Sequence, residues 1–173
     1  IMIGEIRDRE TAQIAVQASL TGHLVLATLH TNDAPSAITR LVDMGIEPFL
    51  LASSTIGVLA QRLARTLCSS CRAAYPADAS ELELLGLERS ATLYRAVGCP
   101  ECNQTGYRGR MGLFELLTFD EALSTLVHQG SNEQQLRAQA VKGGMTLLRE
   151  DGIAHVLTGT TTLEEVVRVT RDT

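Results

Sequence analysis

Lysine is almost missing from this 173-residue chain: of 15 basic residues, 14 are arginine and one, Lys142, is lysine. A phosphate-cradling loop of the form G-x-x-x-x-G-K-[ST] needs a lysine beside the phosphates, yet Lys142 is followed by Gly143 in a helical stretch. These residues therefore contain no P-loop, and any nucleotide chemistry must draw that element from elsewhere. Tryptophan is absent and aromatics reach only 3%, so the core has to be aliphatic and alanine-rich. Basic runs and aromatic platforms are missing too, and the net charge is −5. That argues against a nucleic-acid binder, whose phosphate contacts need clustered cations. No apolar stretch approaches the roughly 20 residues of a membrane helix; the longest, Phe49 to Ala60, is broken by Ser and Thr. The opening residues do not read as a signal peptide, because Glu5, Arg7 and Asp8 interrupt them at once. A soluble, cytoplasmic chain without a transmembrane segment is the expectation.

What is present is enough to fold. Apolar residues make up 45% and charged ones 20%, a balance that buries a core. The chain opens inside an apolar run and meets Gly4-Glu5 directly, as a strand end whose upstream part is missing would, so a fragment is expected. From Asp8 to Leu20 the pattern is helical, with Asp8 as N-cap and Gly22 as the C′ residue. The run His23-Leu24-Val25-Leu26-Ala27-Thr28-Leu29-His30 suits a strand buried on both faces of a parallel sheet. Helices are expected over Ala34 to Met44 and from Pro48 to about Ala60, and this alternation indicates a parallel α/β sheet. Gly98 to Gly112 reads as irregular and Leu113 to Phe119 as a returning strand. Helices then follow over Asp120–His128, Asn132–Val141 and Leu147–Leu157. A last helix opens at Thr162-Leu163-Glu164-Glu165, which has the form of a capping box.

All four cysteines fall in two C-x-x-C pairs, Cys68-Ser69-Ser70-Cys71 and Cys99-Pro100-Glu101-Cys102. Two thiolates three residues apart chelate one metal from a tight turn, and two such turns complete the tetrahedral S4 shell that Zn²⁺ favours in structural sites. The 27 intervening residues (72–98) exceed the commonest zinc spacings, so a small subdomain must fold between the pairs. Disulfides suit oxidising compartments instead, and an iron–sulfur centre is the remaining alternative. With four protein ligands no position is open for a catalytic water, which makes the expected metal structural.

In open α/β sheets, ligands bind beyond the carboxyl ends of the strands. Two such ends are visible: Ile1-Met2-Ile3-Gly4 delivers Glu5, and Leu24 to Leu29 delivers His30. A carboxylate on that rim can hold or deprotonate a water, and an imidazole can contact a phosphate. Equally, such a Glu decorates a helix N-terminus and such a His is a satisfied structural residue. His23 lies seven residues before His30, so the two cannot share one face of a strand.

Taken together, Met2-Ile3-Gly4-Glu5-Ile6-Arg7-Asp8, Thr21-Gly22-His23-Leu24-Val25, Thr28-Leu29-His30-Thr31-Asn32, Ala60-Gln61-Arg62-Leu63 and the paired cysteines resemble one family. It is that of the type II secretion and type IV pilus assembly ATPases, and the likeness runs through essentially all 173 residues. The resemblance implies a RecA-like α/β ATPase core over 1–67, a tetracysteine zinc subdomain over 68–112, and a return strand with a C-terminal helical domain over 113–173. It implies Zn²⁺ in the structural site, ATP and Mg²⁺ in the full-length protein, and assembly as a homo-hexamer. Carried over by position, Glu5 matches the Walker B carboxylate that positions the attacking water. His23 and His30 match the histidine box, with His30 as the γ-phosphate sensor. Cys68, Cys71, Cys99 and Cys102 match the zinc ligands. Arg62 and Arg110 lie in motifs retained near the nucleotide or the subunit interface. The P-loop and the acidic box before Walker B are absent, and Ser-Ser stands inside the first cysteine pair where relatives often have Pro.

Two functions follow as expectations. One is the C-terminal portion of a hexameric motor ATPase that drives pseudopilus or pilus assembly and type II secretion, peripheral to the inner membrane through platform and cytoplasmic-ring proteins, and inactive in this portion alone. Asn32-Asp33-Ala34-Pro35 resembles the pilus extension motor more, whereas Gly45 to Arg65 resembles the secretion ATPase more. The other is a zinc-stapled protein-interaction module without catalysis.

Overall fold

The computed structural model describes residues 1–171; residues 172–173, the end of the expected C-terminal region, lie outside the described residues. The order is β1 (Met2–Ile3), α1 (Arg9–Leu20), β2 (Leu26–Ala27), α2 (Ala34–Asp43), α3 (Pro48–Ser54) and β3 (Gly57–Leu67). Then come β4 (Ala73–Pro76), α4 (Ala79–Leu85), β5 (Thr92–Arg95), β6 (Tyr107–Thr118), α5 (Glu121–His128), α6 (Glu133–Lys142), α7 (Leu148–Leu157) and α8 (Leu163–Val169). The chain divides into two compact units: residues 1–60 with 115–146, and residues 61–114 with 147–173. Strands β3 and β6 pair with one another, and each passes from one unit into the other along its length.

In the first unit, the helices follow from spacing and caps. Asp8 accepts a hydrogen bond from the Thr11 amide at 2.8 Å and opens α1, which buries Ala12, Ala15 and Val16 on one face. Asp33 caps α2 in a reciprocal box with Ser36, and Ala37 and Ile38 turn inward. Helix α1 packs on α3, α3 on α5, α5 on α6, and α6 on α2. Leu51, Leu117, Leu123, Val127 and Leu136 close the core between them, each buried leucine contributing about 2 kcal/mol. As the composition requires, no aromatic residue stands among these buried positions.

Three expectations are corrected here. The helix from Pro48 ends at Ser54 rather than near Ala60, because Thr55 is already extended (ψ 129°) and β-branched Thr55, Ile56 and Val58 favour the strand that begins at Gly57. The run His23–His30 yields only a two-residue strand. β2 runs parallel to β1, Met2 opposite Leu26 and Ile3 opposite Ala27, as the alternation implied. Among the described residues no other strand joins this pair, so Leu24 (63% exposed) and Leu26 (55%) face solvent instead of a covered sheet. Thirdly, β6 starts at Tyr107, inside the stretch expected to be irregular. Pairing with β3 overrides the glycines there, and Gly112 leaves room for the Phe114 ring, whose Cζ would stand 2.4 Å from an added Cβ.

In the second unit, residues between the cysteine pairs form an antiparallel pair with a helix in the connection: β4 runs against β5, Ala73 opposite Arg95, and α4 crosses between them. Leu85 of α4 and Leu93 of β5 are buried. Helices α7 and α8 approach closely because Gly152 faces Val166, whose Cγ1 would lie 2.5 Å from an added Cβ. At α8 only half of the expected capping box forms. The Thr162 hydroxyl accepts from the Glu165 amide at 3.2 Å, but the Glu165 carboxylate turns away to Arg65 and Arg168. It accepts from the Arg65 amide (3.0 Å) and guanidinium (2.6 Å), and from Arg168 at 2.8 Å through Nε and again through Nη2. Two cations outcompete one backbone amide for a carboxylate that is 99% buried. Arg65 also lies over the Tyr107 ring, 4.0 Å from its centre.

Candidate functional site

Parallel pairing of β1 with β2 sets both strands to end on the same side, so the residues that follow them emerge together. Two hydrogen bonds lock those exits: the Ile6 amide donates to the Thr28 carbonyl at 2.9 Å, and the Thr28 hydroxyl donates to the Gly4 carbonyl. Glu5 and His30 consequently meet, with His30 Nε2 3.1 Å from Glu5 Oε1. Arg7 reaches the other carboxylate oxygen, its Nη2 2.6 Å from Glu5 Oε2. The Glu5 side chain is largely covered (23% exposed) and that of His30 projects outward (88% exposed). The Arg7 hydrogen bond holds the Glu5 carboxyl below the usual carboxylate range; partial desolvation opposes it, and the charges of Arg7 and His30 add to it. Glu5 is thus an ionised acceptor.

Glu5, Arg7 and His30 share a cavity of about 230 Å³ with Ile6, Leu29, Arg40 and Met44. One carboxylate among two guanidiniums and an imidazole can hold a water beside a site attractive to anions. Arg7 and Arg40 were not among the expected site residues. Arg7 carried a signal, standing two residues after Glu5 in Glu5-Ile6-Arg7; Arg40, in the last turn of α2, carried none.

The other expected residues lie apart from this pair. His23 sits at the C-terminal end of α1, its Nδ1 3.2 Å from Thr21 Oγ1 and 3.3 Å from the Ala18 carbonyl. It lines a different cavity, of about 200 Å³, beside α1 and α3. Arg62, half-buried on β3, and Arg110, exposed on β6, belong to the second unit.

The second unit carries the cysteine cluster. All four sulfurs lie within 4.8 Å of one another, with Cys68–Cys99 at 3.9 Å and Cys71–Cys102 and Cys99–Cys102 at 3.8 Å. A tetrahedral shell with metal–sulfur bonds of about 2.3 Å has edges of about 3.8 Å, so the donor set and its spacing fit a metal ion. None of the four is disulfide-bonded. Backbone amides point at the sulfurs, Gly98 to Cys71 (3.3 Å), Cys99 to Cys102 (3.2 Å) and Gly106 to Cys102 (3.1 Å). Such donors stabilise thiolate. Burial pushes the Cys71 thiol up to about 11; burial also opposes ionisation of Cys102, yet the Cys99 and Gly106 amides bring it down to about 6. The segment around the second pair depends on glycine. Gly98 and Gly106 have φ of +110° and +75°, and a Cβ on Gly106 would lie 2.5 Å from that of Ala96. Four cysteines this close can hold a metal ion.

The parallel β pair that brings acid and imidazole to one rim belongs to a mixed α/β, RecA-like fold. The crystal structure of the pilus retraction motor PilT with bound ADP has this fold, with a TM-score of 0.68 at 24% identity over 99% of this chain and 39% of that one. The Legionella pneumophila ATPase DotB is similar, at TM-score 0.66 and 20% identity, over 100% of this chain and 38% of that one. The chain belongs to the type II/IV secretion system protein family, whose model matches residues 1–168. Type II secretion system protein E of Pseudomonas aeruginosa is 61% identical over 174 residues, spanning 99% of this chain and 34% of the relative. The type IV pilus assembly ATPase TfpB of Acinetobacter baylyi is 49% identical over 173 residues, spanning 98% of this chain and 30% of the relative. The chain spans about a third of the length of the curated relatives it matches.

Proposed function

We propose that these residues form the C-terminal portion of a motor ATPase of type II secretion, hexameric when full-length, that converts ATP hydrolysis into pseudopilus assembly. The observation that carries this reading is the 3.1 Å contact between Glu5 and His30 in a cavity lined by two further cations. In that arrangement Glu5, ionised, accepts a hydrogen bond from the attacking water and orients it. His30 and the cationic wall face the γ-phosphate. ATP and Mg²⁺ supply the transferable phosphoryl group and its charge neutralisation when bound, and the phosphate cradle comes from a P-loop outside these 173 residues. Alone, this chain is inactive. Arg62 and Arg110 serve the nucleotide or a subunit interface, and His23 steadies the turn from α1 into β2 rather than touching phosphate, given its partners Thr21 and Ala18.

Cys68, Cys71, Cys99 and Cys102 hold structural Zn²⁺ within the region 68–112, and the ion fastens the two knuckles. The higher identity to secretion relatives than to the pilus relative (61% against 49%) favours secretion over pilus extension. An inner-membrane platform and cytoplasmic-ring proteins are the expected partners. Among the described residues no helix is long and apolar enough to cross a membrane. In the full-length polypeptide, Glu5→Gln keeps the shape and loses the charge. It should abolish ATP turnover while nucleotide binding is retained; turnover at the wild-type rate would remove Glu5 from the chemistry.

A further inference from the structure

His30 is held on a six-residue connection between β2 and α2, and its own side chain is almost fully exposed. What fixes it against Glu5 therefore has to be sought at the ends of that connection. At one end Thr28 is tied to Ile6 and Gly4. At the other, three residues past His30, Asp33 is 97% buried and divides its carboxylate between two tasks. Oδ1 caps α2 through the Ser36 amide at 2.8 Å, while Oδ2 pairs with Arg137 of α6. Beside it the buried Glu115 of β6 accepts from the Ala34 amide at 2.9 Å. Arg137 is itself steadied by Glu133, one turn earlier, at 3.4 Å. All of these residues lie in the first unit.

We infer that Arg137 is a positioning residue for the Glu5–His30 pair: by clamping Asp33 it fixes where the connection enters α2, and so where His30 stands. The inference rests on the proposed function, and it makes α6 the element through which a partner could adjust the site. A buried carboxylate released from its cation must find water, and the start of α2 is the part free to move toward it. Displacements near 1 Å cost about a hundredfold in rate.

The test is made in the full-length polypeptide. Arg137→Met should lower kcat between about ten- and a hundredfold with the KM for ATP within about twofold, and Arg137→Lys should restore most of it. In a His30→Ala background the same Arg137→Met change should add almost nothing. An equal loss in both backgrounds would show that Arg137 does not act through His30 and would overturn the inference. Full turnover in His30→Ala alone would instead overturn the proposed role of His30. Because Arg137→Met strands a buried charge, a second variant, Asp33→Asn with Arg137→Met, keeps the Oδ1 cap and removes the ion pair. Its crystal structure should show Glu5 and His30 out of hydrogen-bonding reach. If their contact is retained there, the positioning role is refuted whatever the kinetics show.

Discussion

Cys68, Cys71, Cys99 and Cys102 sit together, half-buried to buried, with three backbone amides aimed at the sulfurs of Cys71 and Cys102, whereas Glu5 and His30 meet beyond two strands of two residues each. Each cysteine pair needs only a local turn, closing on itself through bonds such as the Cys102 amide to the Cys99 carbonyl at 3.2 Å, and the two pairs meet across 31 residues. The rim pair depends on strand register, and the start of α2 that follows His30 is held by distant side chains: Glu115, 81 residues from Ala34, and Arg137, 104 residues from Asp33. Enclosure and openness follow from this. A fastening is stable when shut, while a group meant to meet a nucleotide has to face the space the nucleotide occupies.

Metal removal strains that comparison most. If the tetrad carries folding energy directly, as closed zinc sites do, chelation should lower the Tm of the second unit by roughly 10 °C or more. Amide exchange in residues 61–114 should rise with it, while amides of α1 and α2 keep their protection. Cys102→Ser should reproduce the effect without chelator. A protein isolated without metal, whose Tm is the same with and without added Zn²⁺, would leave the cluster as four packed thiols.

A smaller effect separates ion pairing from metal binding inside the second unit. Arg168 first, then Arg65, hold the Glu165 carboxyl down at about 2 by hydrogen bonds and charge, against its burial. A carboxyl depressed by folding adds stability above its ordinary value of about 4.5 and loses it as pH falls toward 2. Allowing for the half-exposed guanidiniums, the contribution is about 2 kcal/mol. Urea titrations at pH 7, 4 and 2.5 should show the wild type losing that much relative to Glu165→Gln over the window. Parallel pH curves for the two proteins would show that the carboxylate is not what Arg65 and Arg168 stabilise.

Much of this was readable in the sequence where the physics is local. The Asp8 opening and the two knuckles depend on spacings of three residues, and they formed as spacing requires. Glu5 and His30 were legible as strand-end residues, and the structure places them within hydrogen-bonding distance. What escaped was long-range competition. Glu165 reads as a capping-box partner until Arg65, a hundred residues earlier, takes its carboxylate. Likewise, Pro48 to Ala60 reads as one apolar helix until β6 supplies a strand for β3 to pair with. Arg40 and Arg137 gave no signal, since an arginine in a helix is ordinarily solvated, and only the fold decides that Arg40 lines the cavity and that Arg137 meets Asp33.

The smallest expected effect tests the open region. Arg7 is mostly exposed, so its pair with Glu5 should add nothing measurable to stability, and Arg7→Met should leave the Tm unchanged. Its consequence is electrostatic. The Arg7 hydrogen bond is the first cause of the depressed Glu5 carboxyl, so removing it should move the Glu5 titration upward, followed by ¹³C NMR of the labelled carboxylate. The sign matters for the proposed chemistry: a carboxylate relieved of Arg7 holds its proton more readily and also frees Oε2 to accept from water. If Arg7 restrains Glu5 in the nucleotide-free state, the variant should show a raised midpoint at constant Tm. A fall in Tm with no change in titration would assign Arg7 to packing, and the contrast between a closed fastening and an open, electrostatically tuned rim would then fail at the rim.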